Sequence, residues 1–134
     1  MPQLNISPQP GPTQADMRKA IPVVFRILDK WACSEEEKMA LLGVPRSSLY
    51  KMRSQPEKIK VGRDLADRFS YILNIHGSLR TILSRPESVY GWVRRPNQHP
   101  FFGGRSAMEL LSGGHMEDLI DVYRHLDAAR GANW

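Results

Sequence analysis

KMALLGVPRSSLYKMR, residues 38–53, decides how the rest of the chain is read. Two short segments of helical spacing meet at Gly43. The apolar Leu42, Val44, Leu49 and Met52 are placed to lock them together at a steep angle. This is a helix-turn-helix pattern, in which a glycine supplies the tight turn and the second helix is shaped to enter a DNA major groove. With the inward positions removed, Arg46, Ser47, Ser48, Tyr50, Lys51 and Arg53 are left facing outward. Arginine can bond a guanine edge through two donors, and serine, lysine and tyrosine can hold phosphates.

Charge falls in the same place. Residues 45–63 carry Arg46, Lys51, Arg53, Lys58, Lys60 and Arg63 against the single acid Glu57. That local surplus equals the +5 of all 134 residues, so the remainder of the chain is balanced. A concentrated basic patch on a helix-turn-helix favours a polyanion. Lys58 and Lys60 extend the expected DNA-binding set beyond the second helix.

Outward from this motif the pattern stays helical. MPQLNISPQPGPTQ holds four prolines and almost no charge, and reads as a disordered leader over residues 1–15. Val24, Leu28 and Trp31 recur at helical spacing, with Pro22 either starting or kinking that helix. Ser34-Glu35-Glu36-Glu37 is a capping box, and its three carboxylates suit the positive end of a helix dipole. A longer stretch follows with Leu65, Phe69, Ile72, His76, Leu79 and Leu83 on one side and a possible break at Gly77. Pro86 can open a helix bearing Val89, Trp92 and Val93. RRPNQHPFFGGR (94–105) reads as a shaped loop. Ser106 to Glu109 reads as a second capping box, and Gly113-Gly114 closes that brief helix. A last helix carries Leu119, Val122, Tyr123 and Leu126 on one face. No stretch alternates with period two for long enough to form a strand. The expected fold is all-α: a helix-turn-helix region over residues 16–61 and a helical module over 62–134.

Several function classes find no support. No apolar run approaches the ~20 residues of a membrane span, and no basic-then-apolar signal segment opens the chain. Cys33 is the single cysteine, so no internal disulfide is possible, and cytoplasm is the expected compartment. His76, His99, His115 and His125 lack metal-ligand spacing. Phe101-Phe102-Gly103-Gly104 follows no strand and has the wrong spacing for a phosphate loop. No nucleophile–base pair or carboxylate pair emerges, so neither an enzyme nor a cofactor is expected.

Taken with the second half, the chain resembles the Xre/MbcA/ParS antitoxins, inhibitory partners of RES-domain toxins. LLGVPRSSLYKMR is similar to the family's Xre-like helix-turn-helix. VYGWVRRPNQHPFFGGRSAMELLSGG and MEDLIDVYRHLDAARGANW resemble its C-terminal toxin-binding module. Many members end on Arg-Gly-Gly-Trp, where this chain has Arg130-Gly131-Ala132-Asn133-Trp134. The resemblance implies a type II antitoxin that binds an NAD-consuming or ADP-ribosylating RES-domain enzyme. It implies that Arg130, Gly131 and Trp134 plug the NAD pocket. Phe101, Phe102, Gly103, Gly104 and Arg105 would be either docking surface or the internal brace of the module. Binding of double-stranded operator DNA would repress the antitoxin's own operon through a homodimer, with half-sites ~34 Å apart, and a larger assembly would form with toxin. The alternative is a stand-alone helix-turn-helix regulator whose second half senses or dimerises. A RES-domain reading frame next door separates the two.

Overall fold

The computed structural model describes residues 11–131. Among them the chain is all-helical, with seven α-helices and no strand. These are α1 (Gln14–Lys30), α2 (Glu35–Leu42), α3 (Arg46–Ser54), α4 (Arg63–Ile82), α5 (Pro86–Gly91), α6 (Ala107–Leu111) and α7 (Met116–Gly131). Short 3₁₀ turns at Pro56–Lys58 and Trp92–Arg94 link some of them.

Helix α1 opens within the segment expected to be leader. Thr13 and Asp16 form a reciprocal capping box, with Asp16 N donating to Thr13 Oγ1 at 3.1 Å and Thr13 N to Asp16 Oδ2 at 3.2 Å. The remainder of the expected leader, residues 1–10, lies outside the described residues. Pro22 neither starts nor ends α1; the helix runs through it. A proline here cannot donate to the Arg18 carbonyl, which disfavours the helix by ~3 kcal/mol. Burial of Ile21, Val24, Phe25, Ile27 and Leu28 along the opposite stripe offsets that loss.

Helix α4 is the central element, packed against α1 on one side and α7 on another. Phe69, Ile72, Ile75 and Leu79 are buried along it. Gly77 does not interrupt it. The site is exposed, and the helix continues to Ile82. Trp31, Leu41, Leu49, Phe102, Met108 and Val122 join the same core, so both halves of the chain share one apolar interior.

Two arginines tie the halves together at polar points. Arg68 of α4 is buried and reaches beneath the α2–α3 turn. Its Nη1 donates to the Ala40 and Leu41 carbonyls at 3.1 and 3.2 Å, and its Nη2 to the Gly114 carbonyl at 3.1 Å. Its Nε donates to Asp64 Oδ2 at 2.9 Å. The guanidinium thus bonds the Leu41 carbonyl at the end of α2, and shares the Ala40 carbonyl with Gly43 N, which reaches it at 3.3 Å. Arg94, from the second half, donates to the Trp31 and Ala32 carbonyls at 2.9 and 2.8 Å. It also forks onto both carboxylate oxygens of Glu37 at 2.9 and 2.6 Å. Such bidentate pairs fix orientation as well as supplying energy. Arg94 is the first cause holding Glu37 below the ordinary carboxylate range. No helix among the described residues is long and apolar enough to cross a membrane.

Candidate functional site

The first candidate surface is built on α2 and α3. Ser34 caps α2 in both directions: Glu37 N donates to Ser34 Oγ at 3.1 Å, and Ser34 N to Glu37 Oε1 at 2.9 Å. Gly43 ends the helix in the left-handed region, φ 64° and ψ 35°, which a glycine adopts without steric cost. A Cβ there would stand 2.7 Å from the Arg68 guanidinium, so the turn and its brace exclude a side chain together. Pro45 then sits at the N-cap of α3. Leu49 and Met52 are buried, each stabilising the docked helix by ~1.5–3 kcal/mol.

The six outward residues read from the sequence separate into three groups. Ser47, Tyr50 and Lys51 are exposed on the outer face, and Ser48 is half-buried at its edge. Arg46 instead turns toward α2, with Nη1 2.6 Å from Glu35 Oε2 and Nη2 2.9 Å from Glu36 Oε1. The Tyr50 hydroxyl donates to the same Glu35 oxygen at 2.8 Å. Arg53 turns the other way, its guanidinium carbon 5.6 Å from the centre of the Phe25 ring on α1. Lys58 and Lys60 are exposed. Ser48, Lys51 and Lys60 line a cleft of about 250 Å³ floored by Val44, Met52, Ile59 and Leu65. Lys51, Lys58 and Lys60 have no ion pair among the described residues, which leaves this end of the patch open to an anion.

The second surface is the loop between Arg95 and Ser106, set against α7. Asn97 N donates to the Arg105 carbonyl at 3.0 Å and Gly104 N to the Asn97 carbonyl at 2.9 Å, closing the loop on itself. Phe102 N and Gly103 N both donate to the His99 carbonyl, at 2.8 and 3.0 Å. Gly103 and Gly104 take φ 59° and 87°, conformations that reverse the chain at little cost only for glycine. This turn sets two neighbouring aromatics at different depths, their rings edge to face with centroids 4.7 Å apart. Phe102 is 0% exposed, edge-on to Trp92 and His125 with centroids 5.8 and 4.9 Å away. Its ring lies wholly in the core beneath the loop. Phe101 is 37% exposed and stacks on His125 at 5.6 Å.

Arg105 donates from Nε to the Phe102 carbonyl at 3.1 Å and so supports the same turn. Ser106 caps α6 through Glu109 N at 3.2 Å. Only that half of the expected box forms. His99 and His125 meet edge to face at 4.6 Å, and Phe101 N donates to His99 Nδ1 at 3.1 Å. His125 is held below its ordinary value by burial first and by the nearby His99 second. Arg130 reaches Asp127 Oδ1 at 3.2 Å near the end of α7, whose last residue is Gly131. Trp134 lies outside the described residues.

Among the described residues no group of three or more His, Cys, Asp or Glu could hold a metal. Cys33 is pushed up to about 12, by burial first and then by the charge of Glu37, and is a poor nucleophile at neutral pH.

Residues 14–74 match the antitoxin Xre-like helix-turn-helix domain, and residues 78–131 match the antitoxin Xre/MbcA/ParS C-terminal toxin-binding domain. The chain belongs to the Xre/MbcA/ParS antitoxin family. The two matched segments of this antitoxin meet inside α4, so one continuous helix serves both domains. The antitoxin is also 34% identical over 123 residues to the uncharacterized protein y4oB of Sinorhizobium fredii (strain NBRC 101917 / NGR234). That match covers 91% of this chain and 92% of the relative. A helix-turn-helix and a toxin-binding domain imply DNA and a toxin as partners.

Sequence reasoning missed Arg68, Arg94 and the pairing of Arg46 with α2. Arg68 did leave a trace: it interrupts the apolar stripe of α4 three residues after Leu65 and directly before Phe69. A charge on an inward face needs partners.

Proposed function

We propose that this antitoxin neutralises a RES-domain toxin that consumes NAD or transfers ADP-ribose, and that it binds operator DNA to repress its own operon. The observation that carries the toxin half is Phe101. It is a large, partly exposed aromatic stacked on His125 of α7, within the segment matching the toxin-binding domain. Rigid, partly exposed aromatics are the usual anchors of protein interfaces. Helix α7 then runs to Arg130 and Gly131, its last residue. A guanidinium and a terminal indole suit a narrow pocket lined with carboxylates and a flat cosubstrate, so the Arg130-to-Trp134 segment is the proposed plug of the NAD site.

The DNA half is supported by the outward Ser47 and Lys51 and by the cleft that Ser48 and Lys51 share with Lys60. We assign phosphate contact to Lys51, Lys58 and Lys60 and base reading to the first turn of α3. Arg53, drawn over Phe25, has a supporting role at the α1–α3 junction. Two copies would meet two half-sites on one face of the duplex, in the cytoplasm where the operon is transcribed.

The test is co-expression with the product of the adjacent reading frame, reading growth and NAD level. Full-length antitoxin should restore both. A chain lacking residues 130–134 should keep its helical fold and lose protection. Full protection by that shortened chain would remove the plug and leave docking by the folded module. A neighbouring frame with no RES domain would favour the stand-alone regulator.

A further inference from the structure

Helix α3 has a cationic hollow on each flank. Lys51 and Arg53 stand two residues apart, which is ~200° around a helix, so they leave α3 on opposite sides. On the Lys51 side lies the cleft shared with Ser48 and Lys60. On the Arg53 side lies a larger groove of about 540 Å³ between α1 and α3. Arg26 and Lys30 of α1 line it together with Arg53, over a floor of Phe25 and Met52.

These three cations are exposed, and none has an ion pair among the described residues. Asp29 also lines the groove, but Lys38 of α2 pairs with it. Arg53 lies over the Phe25 ring. Stacking of that kind uses the face of a guanidinium and leaves the N–H donors at its edge for an anion. Lys30 stands 5.7 Å from the centre of the Tyr90 ring, which occupies none of its donors. No ion pair has to be broken before this groove receives a negative charge. Phe25 and Met52 are themselves 8% and 1% exposed, so what the groove offers an incoming group is chiefly its charged rim.

A recognition helix with its side chains is about 10–12 Å across and fills a major groove ~12 Å wide. The phosphates bordering that groove belong to both strands, one row along each flank of the helix. A hollow lined with unpaired cations on either side of α3 matches both rows.

We propose that the groove of Arg26, Lys30 and Arg53 is a second phosphate-binding site, receiving one backbone strand of the duplex while the cleft of Lys51 and Lys60 receives the other. This rests on the DNA-binding reading given above. It gives α1 a part in affinity and none in base selection, because phosphate contacts carry no sequence information.

The experiment uses the full chain with Arg26→Ala and Lys30→Ala together, two exposed positions whose loss leaves the core untouched. Binding is measured to the duplex upstream of the antitoxin's own reading frame and to a scrambled duplex of the same composition, between about 50 and 200 mM salt. Both duplexes should weaken alike, by about tenfold, with a salt slope shallower by ~2, the change for two lost phosphate contacts. Lys51→Ala with Lys60→Ala should act the same way from the other flank, and the four substitutions together should multiply the two losses. Arg80→Ala with Arg85→Ala removes equal charge from exposed positions around the α4–α5 connection and should change affinity by less than about twofold.

Unchanged affinity and slope in the Arg26 and Lys30 variant overturn the second site. So does an equal loss from the Arg80 and Arg85 pair, because net charge then explains it. A loss confined to one duplex, or four substitutions no worse than either pair, overturns it as well; DNA binding itself survives these results. If the wild type retains neither duplex, the DNA-binding reading falls, and the second site with it.

Discussion

On α3, Tyr50 and Lys51 stand outward because Leu49 and Met52 turn inward; a helix deals its side chains around a circle in fixed steps. In the 97–105 loop, Phe101 and Phe102 are neighbours as well, yet no period separates them. One is core and the other surface because two N–H groups converge on the His99 carbonyl and two glycines reverse the chain. The recognition helix would keep its faces if its surface residues were exchanged. The loop face depends on a few backbone bonds and on the aromatic plug beneath them. A regular element separates function from packing along the sequence, whereas a shaped loop makes one residue support the next.

The difference is broken most severely at Phe102. Phe102→Ala should lower stability by about 4 kcal/mol by leaving a cavity under the loop, whereas Phe101→Ala should change stability by less than about 1 kcal/mol. Urea denaturation of both variants checks the contrast. Equal losses would mean that the two rings share one environment.

Next comes the brace common to both regions. Arg68→Ala should cost about 3 kcal/mol, since it removes a buried guanidinium that bonds carbonyls of α2 and of the α6–α7 connection together. Hydrogen exchange should then show α2 and the Gly114 region opening as a unit, with α1 retaining its protection.

Acid should weaken the fold at two histidines, one beneath the loop face and one on α4. His125 and His76 are both held below their ordinary value of 6.5, burial being the first cause for each. The unfolded chain therefore takes up protons at a higher pH than the folded one, and stability present above about pH 6.5 declines as pH falls through and below it. Tm measured from pH 7.5 down to pH 5 should fall. Replacing His125 with Gln should flatten that decline, whereas Lys51→Ala should leave it as it is.

The smallest effect lies on the shared helix. Gly77 is exposed within α4, and a Cβ there meets nothing within 4 Å. Gly77→Ala should raise stability by about 0.5–1 kcal/mol without touching either face. Thermal melts would detect it.

These contrasts also explain what could be read without coordinates. Gly43, the Ser34 cap and the inward pair Leu49 and Met52 are local features, each decided within a few residues, and the helix-turn-helix was legible from them. The cap on α1 was local too, but its acid is an aspartate at the edge of a proline-rich stretch that reads as leader. The turned-aside positions of Arg46 and Arg53 left a fainter signal. They lie three residues before and four after buried Leu49, which places both on its flank and not opposite it. The arginine braces left less, because their partners are distant backbone carbonyls: Arg94 reaches across 62 and 63 residues, and Arg68 across 27, 28 and 46. Any carbonyl can accept, so no residue type marks the far end. Phe101 and Phe102 could be named as a pair but not divided, since their division is made by the turn.

The central claim is that one rigid helical body, bound across its halves by Arg68 and Arg94, carries two faces that work independently. The most direct measurement titrates Phe101→Ala and Lys51→Ala, side by side, against the neighbouring toxin's NAD turnover and against the upstream duplex. Phe101→Ala should lose inhibition by about tenfold or more and retain the duplex, and Lys51→Ala should do the reverse. Parallel losses in both titrations, from two variants that remain folded, would contradict it.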